Sequence, residues 1–311
     1  MQAMGSMKWK KTLGVSWVAV DWGTSNLRIW LMSEDSQVIA ENTSNQGMAS
    51  LSSPAEFEQV LFECLQSLLT DGEILPVICC GMVGAKQGWQ DAGYSTVPHN
   101  PLQYQIPVPV PTKHRQLWVW VLPGLCQLTP ADVMRGEETQ IAGVLCQHKD
   151  FSGVLCLPGT HSKWALCQAG KVASFSTFMT GELFSLLSKQ SVLRHSVIDD
   201  QWSDDAFKQG VQDAINNPAQ LTSELFSVRA RDILGNGATH FGKARLSGLL
   251  IGSELEGTRE WWQGKKVILL GDSLLQSLYK LAMDQVNIDV VLLDATQMTL
   301  AGLTAAYEQQ G

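Results

Sequence analysis

The sequence predicts an α/β chain of two domains, each a mixed sheet that starts as a β-meander and is flanked by helices. Three observations carry this expectation. The chain has 311 residues, and at roughly 100–200 residues per domain that length fits about two. Short apolar runs, of strand length and bounded by Gly, Pro, Asn or Ser, alternate with longer patterns of helical period. The order strand, glycine turn, strand, tight turn, strand occurs twice, over residues 14–40 and again over 153–175, and helices follow each time.

Residues 14–21 form the first strand and end in Asp21. A turn at 22–26 leads to strands at 27–32 and 36–40. This meander differs from the strand–turn–helix of a dinucleotide-binding unit. Ser53 as N-cap, Pro54 at the first helical position and acids in the first turn predict a helix to about Leu69, burying Phe57, Val60, Leu61, Cys64, Leu65 and Leu68. Residues 77–80 are a short strand that runs into Gly81-Met82-Val83-Gly84. The stretch 94–111 carries Pro98, Pro101, Pro107, Pro109 and Pro111, so it reads as an extended connector. A strand at 117–122 ends at Pro123-Gly124, and a helix is expected from Asp132 to about Gln147. The second meander then occupies 153–157, 164–167 and 171–175. Helices follow at 181–190, 204–216, 222–234 and 244–256, then a strand at 266–270, a helix from Ser273 to about Met283, a strand at 289–293 and a helix at 298–307. The expected domains are 12–130 and 131–311.

Composition removes several classes of function. Twenty-two basic against 30 acidic residues give a net charge of −8, which argues against a broad nucleic-acid or anionic-membrane surface. At 45% hydrophobic and 17% charged residues, wholesale disorder is excluded, and no apolar run approaches the ~18 residues of a membrane span. Seven cysteines are an odd number with no CxxC pair. Cys79, Cys80 and Cys156 lie in apolar runs, where cysteine acts as a small hydrophobe, so a reducing, cytoplasmic setting is expected. Lys8, Lys10 and Lys11 precede no adequate apolar segment, so a signal peptide is not expected.

Three segments share one logic: residues 20–26, 157–163 and 269–273 each end a buried strand in small, polar, glycine-containing residues. Glycine lets backbone N–H groups approach an anion, and Thr or Ser hydroxyls add donors. Asp21 at a strand end suits a water-coordinated Mg²⁺ held against phosphate oxygens. No GxxxxGK[ST], GxGxxG, HExxH or GxSxG pattern competes. His161 reads as a hydrogen-bonding turn residue, and Cys79–Cys80 as strand core.

Asp21-Trp-Gly-Thr-Ser-Asn-Leu-Arg28 resembles the first phosphate motif of the actin–hexokinase–chaperone superfamily of ATP-binding proteins. Leu157-Pro-Gly-Thr-His-Ser-Lys-Trp164 resembles its second phosphate motif, and Leu269-Leu-Gly-Asp-Ser273 its adenosine motif, with Asp272 where a second Gly is common. Together with Gly81-Met-Val-Gly84 and Asp132-Val-Met-Arg-Gly-Glu-Glu-Thr-Gln140, these segments make residues 15–307 similar to the 2-dehydro-3-deoxygalactonokinase family. The resemblance implies a two-domain actin-like ATPase (ribonuclease H-like) fold. It also implies ATP- and Mg²⁺-dependent phosphorylation of 2-dehydro-3-deoxy-D-galactonate at its 6-hydroxyl, in D-galactonate catabolism.

The implied roles follow residue by residue. Gly23, Thr24 and Ser25 in the first domain, and Gly159, Thr160, Ser162 and Lys163 in the second, would contact phosphates. Gly271 and Asp272 would serve the adenosine, and Asp21 the metal. One of Asp132, Glu137 and Glu138 would be the base for the acceptor hydroxyl, although an acidic first helical turn also satisfies the macrodipole. Gly136-Glu-Glu138 is similar to a Gly-x-Glu-Glu segment of the exopolyphosphatase branch. Arg135 or Lys86 would anchor the substrate carboxylate. Gly81, Met82 and Gly84 would approach the sugar, and Trp89 would wall the pocket or belong to the core. The expected partners are ATP and a small sugar acid, with no nucleic acid and no membrane; a homodimer is left open. The alternatives are an exopolyphosphatase-like hydrolase and a non-catalytic nucleotide-gated protein. The sugar loop at 81–89 and the nearly full-length resemblance disfavour the first, and the lack of an extra substrate-binding domain beyond residue 311 disfavours the chaperone version of the second.

Overall fold

The computed structural model describes residues 14–69, 72–103, 106–197, 202–235 and 241–310. The lysines at 8, 10 and 11 and the expected domain start at 12 lie outside the described residues. The chain divides into two compact units. One runs through Phe151 and takes in Ala169–Val172 and the segment from Thr296; the other holds Ser152–Gln168 and Ala173–Ala295.

The first unit contains β1 (Trp17–Trp22), β2 (Leu27–Met32), β3 (Val38–Ser44), α1 (Pro54–Leu65), β4 (Leu75–Gly81), β5 (Tyr94–Thr96), β6 (Val108–Val110), β7 (Leu117–Val121), β8 (Gly124–Leu128), β9 (Ala131–Met134) and α2 (Glu137–Gln147). Its main sheet has the order β3-β2-β1-β4-β7-β6. β1–β2 and β2–β3 are antiparallel, and β1–β4 and β4–β7 are parallel. Both faces of β1 are apolar, as expected of a strand covered on both sides. Val18, Val20 and Trp22 pack with Phe57 and Leu61 of α1, while Trp17 and Ala19 pack with Leu303 and Ala306 near the C-terminus.

The second unit contains β10 (Gly153–Leu157), β11 (Ser162–Gln168), most of β12 (Lys171–Phe178), α3 (Thr180–Lys189), α4 (Asp204–Asn216), α5 (Leu221–Ile233), α6 (Gly242–Gly257), the short α7 (Arg259–Trp262), β13 (Val267–Gly271), α8 (Ser273–Asp284) and β14 (Val290–Asp294). α9 (Ala295–Glu308) closes the chain. This sheet has the order β12-β11-β10-β13-β14, with β10–β11 antiparallel and β10–β13 and β13–β14 parallel. The meander-then-parallel plan of the first sheet is thus repeated, as the paired hairpins predicted. Val154 and Cys156 of β10 pack with Phe207 and Val211 of α4 and Ile251 and Leu255 of α6.

α1 stops at Leu65 rather than near Leu69, and three further expectations differ from the structure. The helix expected from Asp132 begins at Glu137, because residues 124–134 form the β8–β9 hairpin, closed by a 2.9 Å bond from Gln127 Nε2 to the Pro130 carbonyl. The proline-rich stretch is not wholly irregular: β5 pairs with β8, and β6 with β7. The 130/131 boundary differs from the unit division, since α2 and nearly all of α9 lie in the first unit. Leu303 and Ala306 of α9 pack with Trp17 and Ala19 of β1, and α2 and α9 interlock. A Cβ added at Gly143 would lie 2.0 Å from the Met298 carbonyl oxygen, and one at Gly302 would lie 2.0 Å from that of Thr139.

Gly143→Ala therefore forces α2 away from α9. Overpacking of this kind costs about 1–3 kcal/mol and outweighs the gain of up to about 1 kcal/mol in helix propensity. A melting temperature lower by several degrees is expected in a thermal melt, and an unchanged or raised value would show that the helices separate freely.

Candidate functional site

In the first unit, three strands bring their ends to one place. Asp21 pairs in register with Arg28 on β2 and Cys80 on β4. Arg28 forms an ion pair with Asp21 Oδ2 through Nη2, and its Nη1 donates to Thr296 Oγ1 at 3.2 Å. The Cys80 thiol lies 3.8 Å from Asp21 Oδ1. Beyond Asp21 the hairpin tip is closed by Gly23 N–H donating to the Asn26 carbonyl at 2.9 Å, leaving Thr24 and Ser25 exposed. The tip is buttressed from outside: Met48 N–H donates to the Gly23 carbonyl at 3.0 Å and Ala49 N–H to that of Thr24 at 2.9 Å.

Two glycines bring the rest of the cluster in. Gly81 (φ +90°) and Gly136 (φ +107°) adopt left-handed backbone that other residues rarely accept. A Cβ on Gly81 would lie 2.7 Å from the Trp22 carbonyl oxygen, and one on Gly136 would lie 3.5 Å from Gly81 Cα. The start of α2 is thereby held beside Asp21 and the Gly81–Gly84 turn. Both Glu138 oxygens accept from Gly136 N–H, at 2.9 and 2.8 Å, and Glu137 Oε2 accepts from Arg135 N–H at 3.1 Å. Glu138 is fully buried. Burial and the neighbouring Glu137 push its pKa up to about 8, against the opposing pull of the Gly136 N–H and Arg135.

Arg135 is also buried. Its Nη2 donates to the Gly93 carbonyl at 2.8 Å, and its guanidinium lies 4.3 Å from the centre of the Tyr94 ring. Nε and Nη1 have no partner among the described residues, and Nη1 lies against Gly84, where a Cβ would approach it to 2.8 Å. Lys86 is exposed and Met82 half-buried in the same turn. Trp89 belongs to the core, with its ring 6.5 Å from Phe57 and 6.3 Å from Trp22. Of the two readings given for it, the structure places it in the core. Asp132 lies on β9, where its Oδ1 accepts from Val133 N–H at 2.7 Å, rather than on the helix with Glu137 and Glu138.

The second unit carries a cavity of about 500 Å³, within the usual range for a small-molecule site. Its polar rim includes Gly159, Thr160, Thr180, Gly181 and Lys243, and its apolar wall Leu250, Ile251, Leu275 and Leu278. The tip of the β10–β11 hairpin is buttressed as the first one is, here by Glu182 N–H donating to the Thr160 carbonyl at 3.0 Å. Two residues expected on phosphate stand elsewhere. Ser162 is fully buried, with its hydroxyl 2.8 Å from Tyr279 OH, and Lys163 is buried with Nζ donating to the His161 carbonyl at 3.1 Å. At the tip Gly159 is half-buried and Thr160 exposed, whereas Ser162 has already entered β11. Gly271 ends β13, and Asp272 caps α8 by accepting from Leu275 N–H at 3.0 Å. That cap is a physical reason for Asp where a second glycine is common.

The cavity's size, apolar wall and rim of backbone and hydroxyl donors fit a nucleoside with its phosphates. Asp21 beside an exposed Thr/Ser tip fits Mg²⁺, which is often held by one or two carboxylates with phosphate oxygens and waters.

The family model for 2-keto-3-deoxy-galactonokinase matches residues 21–306. The chain belongs to this family. It is 39% identical over 297 residues to a probable 2-dehydro-3-deoxygalactonokinase of Rhizobium meliloti (strain 1021), covering 93% of this chain and 96% of that protein. It is 33% identical over 296 residues to the 2-dehydro-3-deoxygalactonokinase of Escherichia coli (strain K12), covering 92% and 96%. A crystal structure described as a putative 2-dehydro-3-deoxygalactonokinase from Sinorhizobium meliloti superposes with a TM-score of 0.86 at 37% identity, covering 94% of this chain and 99% of that one. The galactonokinase family match takes in both clusters. The expected α/β class, two mixed sheets that each start as a β-meander with flanking helices, stands.

Several residues of these two clusters escaped the sequence reading. Arg28 carried no assigned role, although it closes the quoted motif. Gly47, whose Cβ would lie 2.3 Å from the Ser25 carbonyl carbon, sits behind the first tip without any strand-end signal. Thr180, Lys243 and Tyr279 line the cavity from three separate helices, an assembly that local pattern does not reveal.

Proposed function

We propose that this chain is a sugar-acid kinase that transfers the γ-phosphoryl group of ATP to the 6-hydroxyl of 2-dehydro-3-deoxy-D-galactonate. The observation that supports it best is the family match over 21–306, which includes every candidate residue of both units. Phosphoryl transfer is mainly positioning and charge stabilisation. The 500 Å³ cavity takes the nucleoside, with Gly159, Thr160 and Lys243 toward its phosphates. Thr24, Ser25 and the Gly23 N–H are the donors of the first unit, and Asp21 is the carboxylate for Mg²⁺. When bound, that ion offsets charge on the phosphate oxygens.

Glu137 is assigned as the base that accepts the 6-hydroxyl proton. Glu138 holds its own proton near neutral pH and is enclosed, and Asp132 lies on the β8–β9 hairpin. The unpartnered donors of Arg135 suit a carboxylate, the group that distinguishes a sugar acid from a neutral sugar. Met82 and the backbone of Gly81 and Gly84 form the adjoining turn, and Lys86 is a second, exposed cation there.

A coupled assay with ATP and 2-dehydro-3-deoxy-D-galactonate tests this reading. ADP release is expected to depend on the sugar acid and on Mg²⁺. Release without sugar acid, with hydrolysis of polyphosphate, would instead support the phosphoanhydride-hydrolase alternative.

A further inference from the structure

Glu254 lies in the last turn of α6 and is 2% exposed. Its Oε1 accepts from Trp164 Nε1 at 2.7 Å. Its Oε2 accepts from Tyr279 OH at 2.7 Å and from the Thr180 hydroxyl. Tyr279 OH in turn lies 2.8 Å from Ser162 Oγ; with its proton given to Glu254, the tyrosine accepts from the serine.

These partners are not scattered. Thr180 and Tyr279 line the cavity. Ser162 and Trp164 lie on β11, the strand that leaves the Gly159–Thr160 tip, and α3, which starts at Thr180, bonds that tip through Glu182 N–H. A single buried carboxylate therefore fastens the hairpin arm, the start of α3 and the apolar wall of α8 to α6.

We infer that Glu254 is a positioning residue for the nucleotide: it fixes the rim and wall of the cavity relative to the hairpin tip that addresses the phosphates. The role rests on the reading of this cavity as the nucleotide site. An isolated buried acid is costly, whereas one that receives several hydrogen bonds is compensated and orients the groups that donate them. A leucine there fills the space but leaves an indole N–H and two hydroxyls without their acceptor. Thr180 and Tyr279 are then free to turn, and the cavity loses its defined rim. Glutamine preserves the arrangement. Its oxygen accepts from Trp164, and its amide donates to Thr180 and Tyr279, whose hydroxyls rotate to accept.

The test compares Glu254→Gln, Glu254→Leu and Tyr279→Phe with the unaltered enzyme. Calorimetry gives ADP affinity, and steady-state kinetics gives KM for each substrate. Glu254→Leu is expected to weaken ADP binding and raise KM for ATP about tenfold or more, the effect of losing one or two hydrogen bonds to a charged group. KM for the sugar acid stays within about twofold. Tyr279→Phe is expected to fall between Glu254→Leu and the unaltered enzyme, and Glu254→Gln to restore ADP affinity to within about threefold.

A folded Glu254→Leu with unchanged ADP affinity overturns the inference, as does an equal rise in both KM values. If Glu254→Leu does not fold, Tyr279→Phe decides, because it removes a single hydroxyl; normal ADP affinity in that variant overturns the inference. Leu278→Trp, which fills the cavity from α8, separates the two levels. If it leaves ADP binding intact, the cavity is not the nucleotide site and both readings fall. If it abolishes binding while Glu254→Leu and Tyr279→Phe bind normally, only the positioning role falls.

Discussion

Asp21→Asn is expected to lower kcat with ATP and 2-dehydro-3-deoxy-D-galactonate by about 10²- to 10³-fold, the range for removing one preorganised electrostatic group from a transfer site. The amide matches the carboxylate in shape and still offers an acceptor, so the substitution changes charge more than volume. In the folded protein Asp21 is held on two sides, by Arg28 from β2 and by the Cys80 thiol from β4. The Arg28 side chain is 35% exposed. Solvent therefore screens the pair, and its contribution to stability is small, on the order of 1 kcal/mol or less. The expected signature is a near-normal melting temperature beside a collapsed turnover number. Unchanged turnover would remove Asp21 from the metal role. A fall in melting temperature that tracks the fall in activity would make it a structural residue.

The fate of Asp21 in the sequence reading shows which features a one-dimensional pattern carries. β1, β4, β10 and β13 are buried strands of short, mostly apolar runs, and their ends are marked by Asp21, Gly81, Pro158 and Gly271. The strand-end clusters were legible for that reason. β8 and β9 were not. They are short, half-exposed and carry Gln127 and Asp132 among their apolar residues, so the acids downstream drew the helix boundary toward Asp132. Ser162 illustrates a second limit: in sequence a turn serine and a buried serine look alike, and its partner Tyr279 lies 117 residues away. Glu254 is the extreme case. Its partners are 90, 74 and 25 residues distant, and within α6 it reads as an ordinary polar position. α9 was legible as a helix, but its packing against Trp17 and Ala19 of β1 was not, because that contact joins the two ends of the chain. Only three dimensions supply that contact.

Glu138 gives the folded enzyme a pH dependence of known sign. Its pKa rises from the ordinary 4.5 to about 8 on folding, chiefly through burial. Below pH 4.5 both the folded and unfolded chains hold the proton, and the stabilisation linked to it is fully present. Between 4.5 and about 8 the unfolded chain releases the proton while the folded chain keeps it. The unfolded state then binds fewer protons, and stability falls as pH rises, by at most about 1.4 kcal/mol per pH unit. Above about 8 both states are ionised and this contribution stays flat. Glu138→Gln is neutral in both states, so it lacks this slope. Urea unfolding at pH 5.5 and 7.5 is therefore expected to show the unaltered protein losing about 2–3 kcal/mol more than the variant across the interval. Burial also raises the pKa of Glu254 and lowers that of His99, but both residues are present in both proteins and cancel in the difference. Equal losses would mean that Glu138 is ionised in the folded state. The reason for assigning the base to Glu137 would then fail with it, because an ionised Glu138 could also accept the hydroxyl proton.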